Sequence, residues 1–168
     1  MDEDFADFAR ERQQQLYRTA YLLSGNRDRA QDLVQSTLVA LLRSWNRVRE
    51  AANPDAYART VLIRVFLTER RRLRREAEVQ ALALSRAPSD TSAQDGSADL
   101  RLTILQALRA LPPKPRAMVI LRYWEDLTVE QTAAVLGCSE GNVKSQCSRS
   151  LEKLRTLLGD RFAELATH

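Results

Sequence analysis

The chain has 168 residues, a formal net charge of +4 and a pI near 9.4, which allows one domain or two small ones and suits a polyanionic partner. Five Gly, five Pro and 6% aromatics leave a composition weighted toward good helix formers, so an all-α fold is expected. Two cysteines, a single histidine (His168), an acidic start (MDEDFADF) and no apolar run near the ~20 residues of a membrane span argue against a disulfide scaffold, a zinc site, a signal peptide and a membrane partner. The expectation is a reducing, cytoplasmic setting with no cofactor and no metal.

Between Asp2 and Leu23, residues Phe5, Phe8, Leu16, Ala20 and Leu23 recur at helical spacing, interrupted by Arg12, and Ser24-Gly25-Asn26 reads as a stop followed by a fresh cap. From Arg27 to Trp45 a broader stripe of Ala30, Leu33, Val34, Thr37, Leu38, Leu41, Leu42 and Trp45 predicts a second helix, buried on one side. Asp32, Gln35, Ser36, Val39 and Arg43 fall largely outside that stripe. A polar patch containing an exposed valine can dock a partner, although a plain solvated face is the commoner meaning.

Asn53-Pro54-Asp55 opens a third helix, with Asn53 as cap, Pro54 at the first helical position and Asp55 favourable to the helix dipole. Tyr57, Val61 and Val65 keep one side apolar, with Leu62 and Phe66 beside them. Seven arginines follow, Arg59, Arg64, Arg70, Arg71, Arg72, Arg74 and Arg75, against one acid, Glu69. Like charges three or four residues apart repel, so such density implies a polyanion that neutralises it; the alternative is arginine stems covering apolar surface.

Ser85 to Ala98, SRAPSDTSAQDGSA, has the composition of a disordered tether. It divides the chain into a first domain at 1–78, a flexible linker at 79–98 and a second domain at 99–168. Fully stretched, that linker covers at most ~70 Å, and as a coil it averages nearer ~25 Å, so two DNA sites up to about two helical turns apart could be held at once. Leu100, Ile104, Leu105, Leu108 and Leu111 resume the helical pattern before Pro112-Pro113, and Ala117, Ile120, Leu121 and Trp124 mark another helix from about Lys114.

Local signals converge most closely in Leu127–Leu154. Thr128 with Gln131 is a capping-box pair, Ala133 is small enough for a close helix crossing, Gly137 can end a helix in the left-handed conformation, and Ser139 can cap the next one. Val143, Cys147, Leu151 and Leu154 form the apolar stripe of that next helix, where a buried Cys147 thiol serves as a small hydrophobe rather than a redox switch. Its other face carries Asn142, Lys144, Ser145, Gln146, Ser148 and Arg149, donors suited to base edges and phosphates in a major groove. The stretch reads as a DNA-binding helix-turn-helix; its bland alternative is a helical hairpin with a solvated face.

Together DRAQDLVQSTLVALLRSW, NPDAYARTVLIRVFLTERRR, the tether and RALPPKPRAMVILRYWEDLTVEQTAAVLGCSEGNVKSQ resemble bacterial sigma factors of the extracytoplasmic function (ECF) class, over almost the full length. The resemblance implies two small helical domains, sigma domains 2 and 4, and a promoter-specificity subunit that binds RNA polymerase core through the beta-prime coiled coil and the beta flap. It also implies promoter DNA as ligand and leaves an anti-sigma factor as a possible further partner. Asp32, Gln35, Ser36 and Val39 would then face the polymerase. Arg59, Arg64, Arg70, Arg71, Arg72, Arg74 and Arg75 would open and hold the −10 element as single strand, consistent with the need to retain exposed bases. Ser139, Asn142, Lys144, Ser145, Gln146, Ser148 and Arg149 would read the −35 element as duplex. Arg64 stands where the family commonly has an asparagine, Ser36 where it often has an acid and Gln146 where it often has an arginine, so the roles transfer but the base preferences do not.

Other readings make distinct predictions. A dimeric helix-turn-helix regulator of duplex operator would explain the second half but not the arginine-rich helix or the polar patch on the second helix. An enzyme lacks support, with no glycine-rich phosphate loop, metal-ligand cluster or Ser/His/Asp set. Salt dependence tests a purely structural helical adaptor: a protein neutralising several phosphates loses affinity steeply as salt rises, and a flat response counts against DNA binding.

Overall fold

The computed structural model describes residues 3–84 and 100–162. They form eight α-helices: α1 (Glu3–Ser24), α2 (Arg27–Arg43), α3 (Trp45–Glu50), α4 (Pro54–Leu84), α5 (Leu100–Arg109), α6 (Pro113–Tyr123), α7 (Val129–Leu136) and α8 (Glu140–Leu158). A single 3-10 turn, Gly159–Arg161, follows, and there is no strand among the described residues.

The punctuation is chemical. Gly25 takes φ +68, which suits a residue without a Cβ, and the Asn26 side chain then caps α2 by accepting from the Arg29 N–H at 3.0 Å. The predicted second helix is broken at Ser44, whose hydroxyl and N–H both donate to the Ala40 carbonyl. After that break Trp45 turns onto Phe5 and Phe8, with ring centroids 5.3 Å apart in each pair. Arg12, which interrupts the α1 stripe, lies over the Phe8 ring and pairs with Asp55 at the start of α4. On α2 the buried positions are Ala30, Leu33, Val34, Thr37 and Leu41, and the Thr37 hydroxyl is satisfied by donating to the Leu33 carbonyl at 2.7 Å. Leu42, expected in this stripe, is instead 40% exposed because it sits one helical step past Leu41, at the rim of the packed face.

The Asn53 side chain caps α4 as expected, accepting from the Ala56 N–H at 3.1 Å. Its core face is Ala58, Leu62, Ile63 and Phe66, while Tyr57, Val61 and Val65 flank it half-buried, so the packed side is rotated from the expected one. Helix α4 continues to Leu84, and residues 79–84, expected to be linker, are therefore helical. Glu76, Ala77, Gln80, Ala81 and Leu82 are good helix formers with no Gly or Pro among them. The remainder of the expected tether, 85–98, lies outside the described residues.

One continuous apolar cluster runs through both halves of the chain, joining Leu23, Leu33, Leu62 and Phe66 to Leu108, Leu111, Ile120 and Leu121. Helix α6 makes this possible: Arg116 to Leu121 are all buried, the pattern of a helix surrounded by others. It lies against α1, α4, α7 and α8. Because the core is shared, thermal unfolding followed by calorimetry and far-UV circular dichroism is expected to show one cooperative transition. Two separable transitions would show instead that each half holds its own core.

Candidate nucleic-acid and polymerase interfaces

The helix-turn-helix of α7 and α8 is built as the sequence predicts. The Gln131 N–H donates to the Thr128 hydroxyl at 3.0 Å, and the Thr128 N–H donates to the Gln131 side-chain oxygen at 2.9 Å. Gly137 ends α7 at φ +66, and the Ser139 hydroxyl accepts from the Asn142 N–H at 3.1 Å to start α8. Met118, Ala133, Val143 and Cys147 make a small second core where α6, α7 and α8 meet, fixing the crossing of the two motif helices. Farther along, Leu154 and Leu158 continue the buried side of α8 into the main core, and the Lys153 ammonium donates to the Ala110 carbonyl at 2.9 Å.

The opposite face of α8 presents Lys144, Ser145, Ser148 and Arg149 to solvent, with Asn142 and Gln146 half-buried at its edges. Two predicted contacts have part of their capacity engaged: the exposed Ser139 serves as the cap, and the Ser145 hydroxyl donates to the Asn142 carbonyl at 3.3 Å. Lys144, Ser148 and Arg149 therefore provide the most accessible donors, and Glu152 is an exposed acid one turn farther along.

The arginines of α4 divide into two groups. Arg64, Arg71, Arg72, Arg74 and Arg75 are exposed, Arg70 is half-buried, and Arg72 makes a loose ion pair with Glu76 at 3.9 Å. Arg59 stands apart, its side chain 22% exposed, with its Nε 3.3 Å from Glu125 in the turn between α6 and α7. Asp32, Gln35, Ser36 and Val39 share one exposed face of α2, where Val39 is 48% exposed. Asp32 and Gln35 also line a groove of about 660 Å³ whose other wall is Arg10, Gln13, Gln14 and Tyr17 of α1.

Sequence reasoning missed that α1 wall, Glu125 and Arg116. Arg10, Gln13, Gln14 and Tyr17 recur on one side of α1, a polar stripe that periodicity could have shown. No local pattern pairs Thr19 or Arg59 with Glu125. Helix α6 did carry a signal, since its unbroken AMVIL run after Arg116 is apolar all round.

Residues 8–76 match Sigma-70 region 2, and residues 101–154 match Sigma-70, region 4. The RNA polymerase sigma-E factor of Streptomyces coelicolor is 39% identical over 152 residues, covering 90% of this chain and 84% of the relative. The ECF RNA polymerase sigma factor EcfG of Rhodopseudomonas palustris is 33% identical over 139 residues, covering 83% and 76%. Among solved structures, the sigma factor RpoE of Bartonella quintana, crystallised with the anti-sigma factor NepR, superposes with a TM-score of 0.73 at 30% identity, over 95% of this chain and 100% of that one.

The chain belongs to the ECF sigma factors. This sigma factor is thus a promoter-specificity subunit of RNA polymerase and not an enzyme. In it, α1 to α4 carry region 2 and α5 to α8 carry region 4 with the helix-turn-helix. No helix among the described residues is long and apolar enough to cross a membrane.

Its two thiols have different surroundings. Burial pushes the Cys147 thiol above the ordinary value, against a smaller lowering by Arg122, whereas Cys138 is half-buried. Both thiols are free, and Cys138 packs against the small core that contains Cys147. Iodoacetamide applied to the folded protein at neutral pH should modify Cys138 well before Cys147, as read by peptide mass spectrometry. Equal rates for the two would show that Cys147 is not in the core.

Proposed function

We propose that this sigma factor divides promoter recognition between its two exposed cationic surfaces. The exposed arginines of α4, Arg64, Arg71, Arg72, Arg74 and Arg75, with the half-buried Arg70 beside them, hold the opened −10 element. Backbone cations suit a single strand, whose phosphates they neutralise while unstacked bases remain accessible. The outward face of α8 reads the −35 element as duplex, with Lys144 and Arg149 on phosphates or guanine and Asn142, Ser145, Gln146 and Ser148 as adapters. Ser139 caps that helix and brings its N-terminus toward a phosphate. One observation carries this reading: a dense arginine ladder on one helix and a helix-turn-helix occur in one chain, which a duplex-only regulator does not require.

Asp32, Gln35, Ser36 and Val39 form the docking face for the beta-prime coiled coil of core polymerase, and α5 to α8 include the surface for the beta flap. The apolar centre at Val39 and Leu42 with a polar rim has the composition of a protein-binding patch. An anti-sigma factor is a further partner, supported by the structural relative, which was crystallised with one. The site of action is the cytoplasm, where polymerase and promoter meet.

Run-off transcription with core polymerase on promoter DNA tests the whole reading, and transcription no higher than with core alone would overturn it. Val39→Asp places a charge in the apolar centre of the patch and should weaken binding to core by at least about tenfold, roughly 1.4 kcal/mol. Its thermal stability should be unchanged; unaltered core affinity would remove α2 from the interface. Arg149→Ala should weaken binding of the full chain to duplex −35 DNA by about 1 to 3 kcal/mol if the guanidinium reads guanine. Unchanged affinity in a fluorescence titration would take Arg149 out of the contact set.

A further inference from the structure

We infer that Glu125 is a latch that keeps the free sigma factor closed, with Arg59 withheld from nucleic acid until the two halves separate. The inference rests on the proposed use of the α4 arginines for the −10 element.

Among the described residues, the side chains of Glu125, Arg116 and Arg109 reach from region 4 onto region 2 outside the apolar core. Glu125, 13% exposed, receives the Thr19 hydroxyl of α1 and faces the Arg59 guanidinium of α4 at 3.3 Å. Arg116 of α6 donates to the Leu23 carbonyl at the end of α1 at 2.5 Å. The Arg109 side chain lies over Gly25 so closely that a Cβ there would fall 2.5 Å from Arg109 Cδ. Since Gly25 is also in the left-handed region, its lack of a side chain is needed both for the turn after α1 and for the approach of α5.

The turn that carries Glu125 is shaped for the task. The Trp124 and Glu125 N–H groups both donate to the Ile120 carbonyl at 3.0 Å, and the Leu127 N–H donates to the Leu121 carbonyl at 2.9 Å. Asp126 stands between them at φ +54, a conformation that non-glycine residues rarely adopt. The chain reverses tightly there, and the carboxylate is directed back onto α1 and α4 rather than out to solvent.

The energetics suit a latch more than a permanent joint. A partly buried ion pair gains Coulomb energy but loses hydration, so its net contribution is modest and a competing anion can displace it. Phosphates approaching α4 compete with Glu125 for Arg59. Helix α7, the first of the helix-turn-helix, also lies against α4, so closure brings the two proposed DNA surfaces onto one body. Ligands that engage the separated halves then shift the equilibrium toward the open form by their preference for it.

The test uses the full chain without polymerase. Glu125→Gln keeps the side-chain shape but removes the charge, and Thr19→Val removes only the hydroxyl bond; Glu130→Gln, at an exposed acid on α7, makes the same change in net charge. Small-angle X-ray scattering should show a larger radius of gyration for Glu125→Gln than for wild type or Glu130→Gln. Binding to a short oligodeoxythymidine should tighten about fivefold or more beyond Glu130→Gln, with Thr19→Val intermediate. Circular dichroism establishes that each variant is folded, and if Glu125→Gln is not, Thr19→Val carries the comparison. Equal radii and equal affinities for the folded variants and the control would overturn the latch. That result is distinct from a failure of the functional reading, which would appear as absent promoter-directed transcription by the wild-type protein with core polymerase.

Discussion

The guanidinium of Arg116 joins carbonyl groups at the ends of two helices from opposite halves of the chain. It donates to Leu23 at the close of α1 and to Leu111 just beyond α5, and it lies 5.8 Å from the centroid of the Phe66 ring on α4. A buried charge is costly unless its donors are occupied, and here the two terminal nitrogens meet carbonyls at helix ends, whose partial negative charge favours a cation. The position of α6 follows from this contact, and through α6 so do the placements of α7 and α8. Hydrogen bonds from a charged group are worth about 1.5 to 3 kcal/mol each, comparable to burying a leucine. Arg116 is therefore a structural cation, buried where most of the α4 arginines are exposed.

That separation of roles runs through the whole molecule. Arg12 lies on an aromatic ring and pairs with Asp55, and Arg122 donates to the Leu127 carbonyl at 2.5 Å in the turn before α7. Arg12 and Arg122 are thus engaged by the protein itself. In the distal part of α4 the arginines Arg70, Arg71, Arg72, Arg74 and Arg75 outnumber the acids Glu69, Glu76 and Glu78. A positive net charge thus conceals two populations, one engaged within the fold and one in excess of the acids around it. The same sorting on α8 leaves Lys153 bound to a carbonyl while Lys144 and Arg149 remain on the outward face.

Local chemistry was legible in the sequence. The Thr128–Gln131 capping box, the Gly137 turn, the Ser139 and Asn53 caps and the buried Val143 and Cys147 all depend on residues within one or two helical turns. Rotation about a helix axis was read less well: Leu42 lies outside its stripe, and the packed side of α4 centres on Ala58 and Ile63 rather than Tyr57 and Val61. Several apolar residues on neighbouring steps leave such an axis underdetermined until its partners are known. The shared core was invisible for a different reason. Thr19 and Glu125 are 106 positions apart, and no periodicity within either segment refers to the other.

The length of α4 has a mechanical meaning. Among its described side chains the last buried one is Phe66, yet the helix continues eighteen residues to Leu84, about 27 Å farther along its axis. A rod of that kind fixes where and in which direction the chain departs from region 2. The span to region 4 is therefore set partly by a rigid offset and only partly by the residues that follow, so any rotation of the region 2 body swings the departure point through an arc several times larger than the movement at its base.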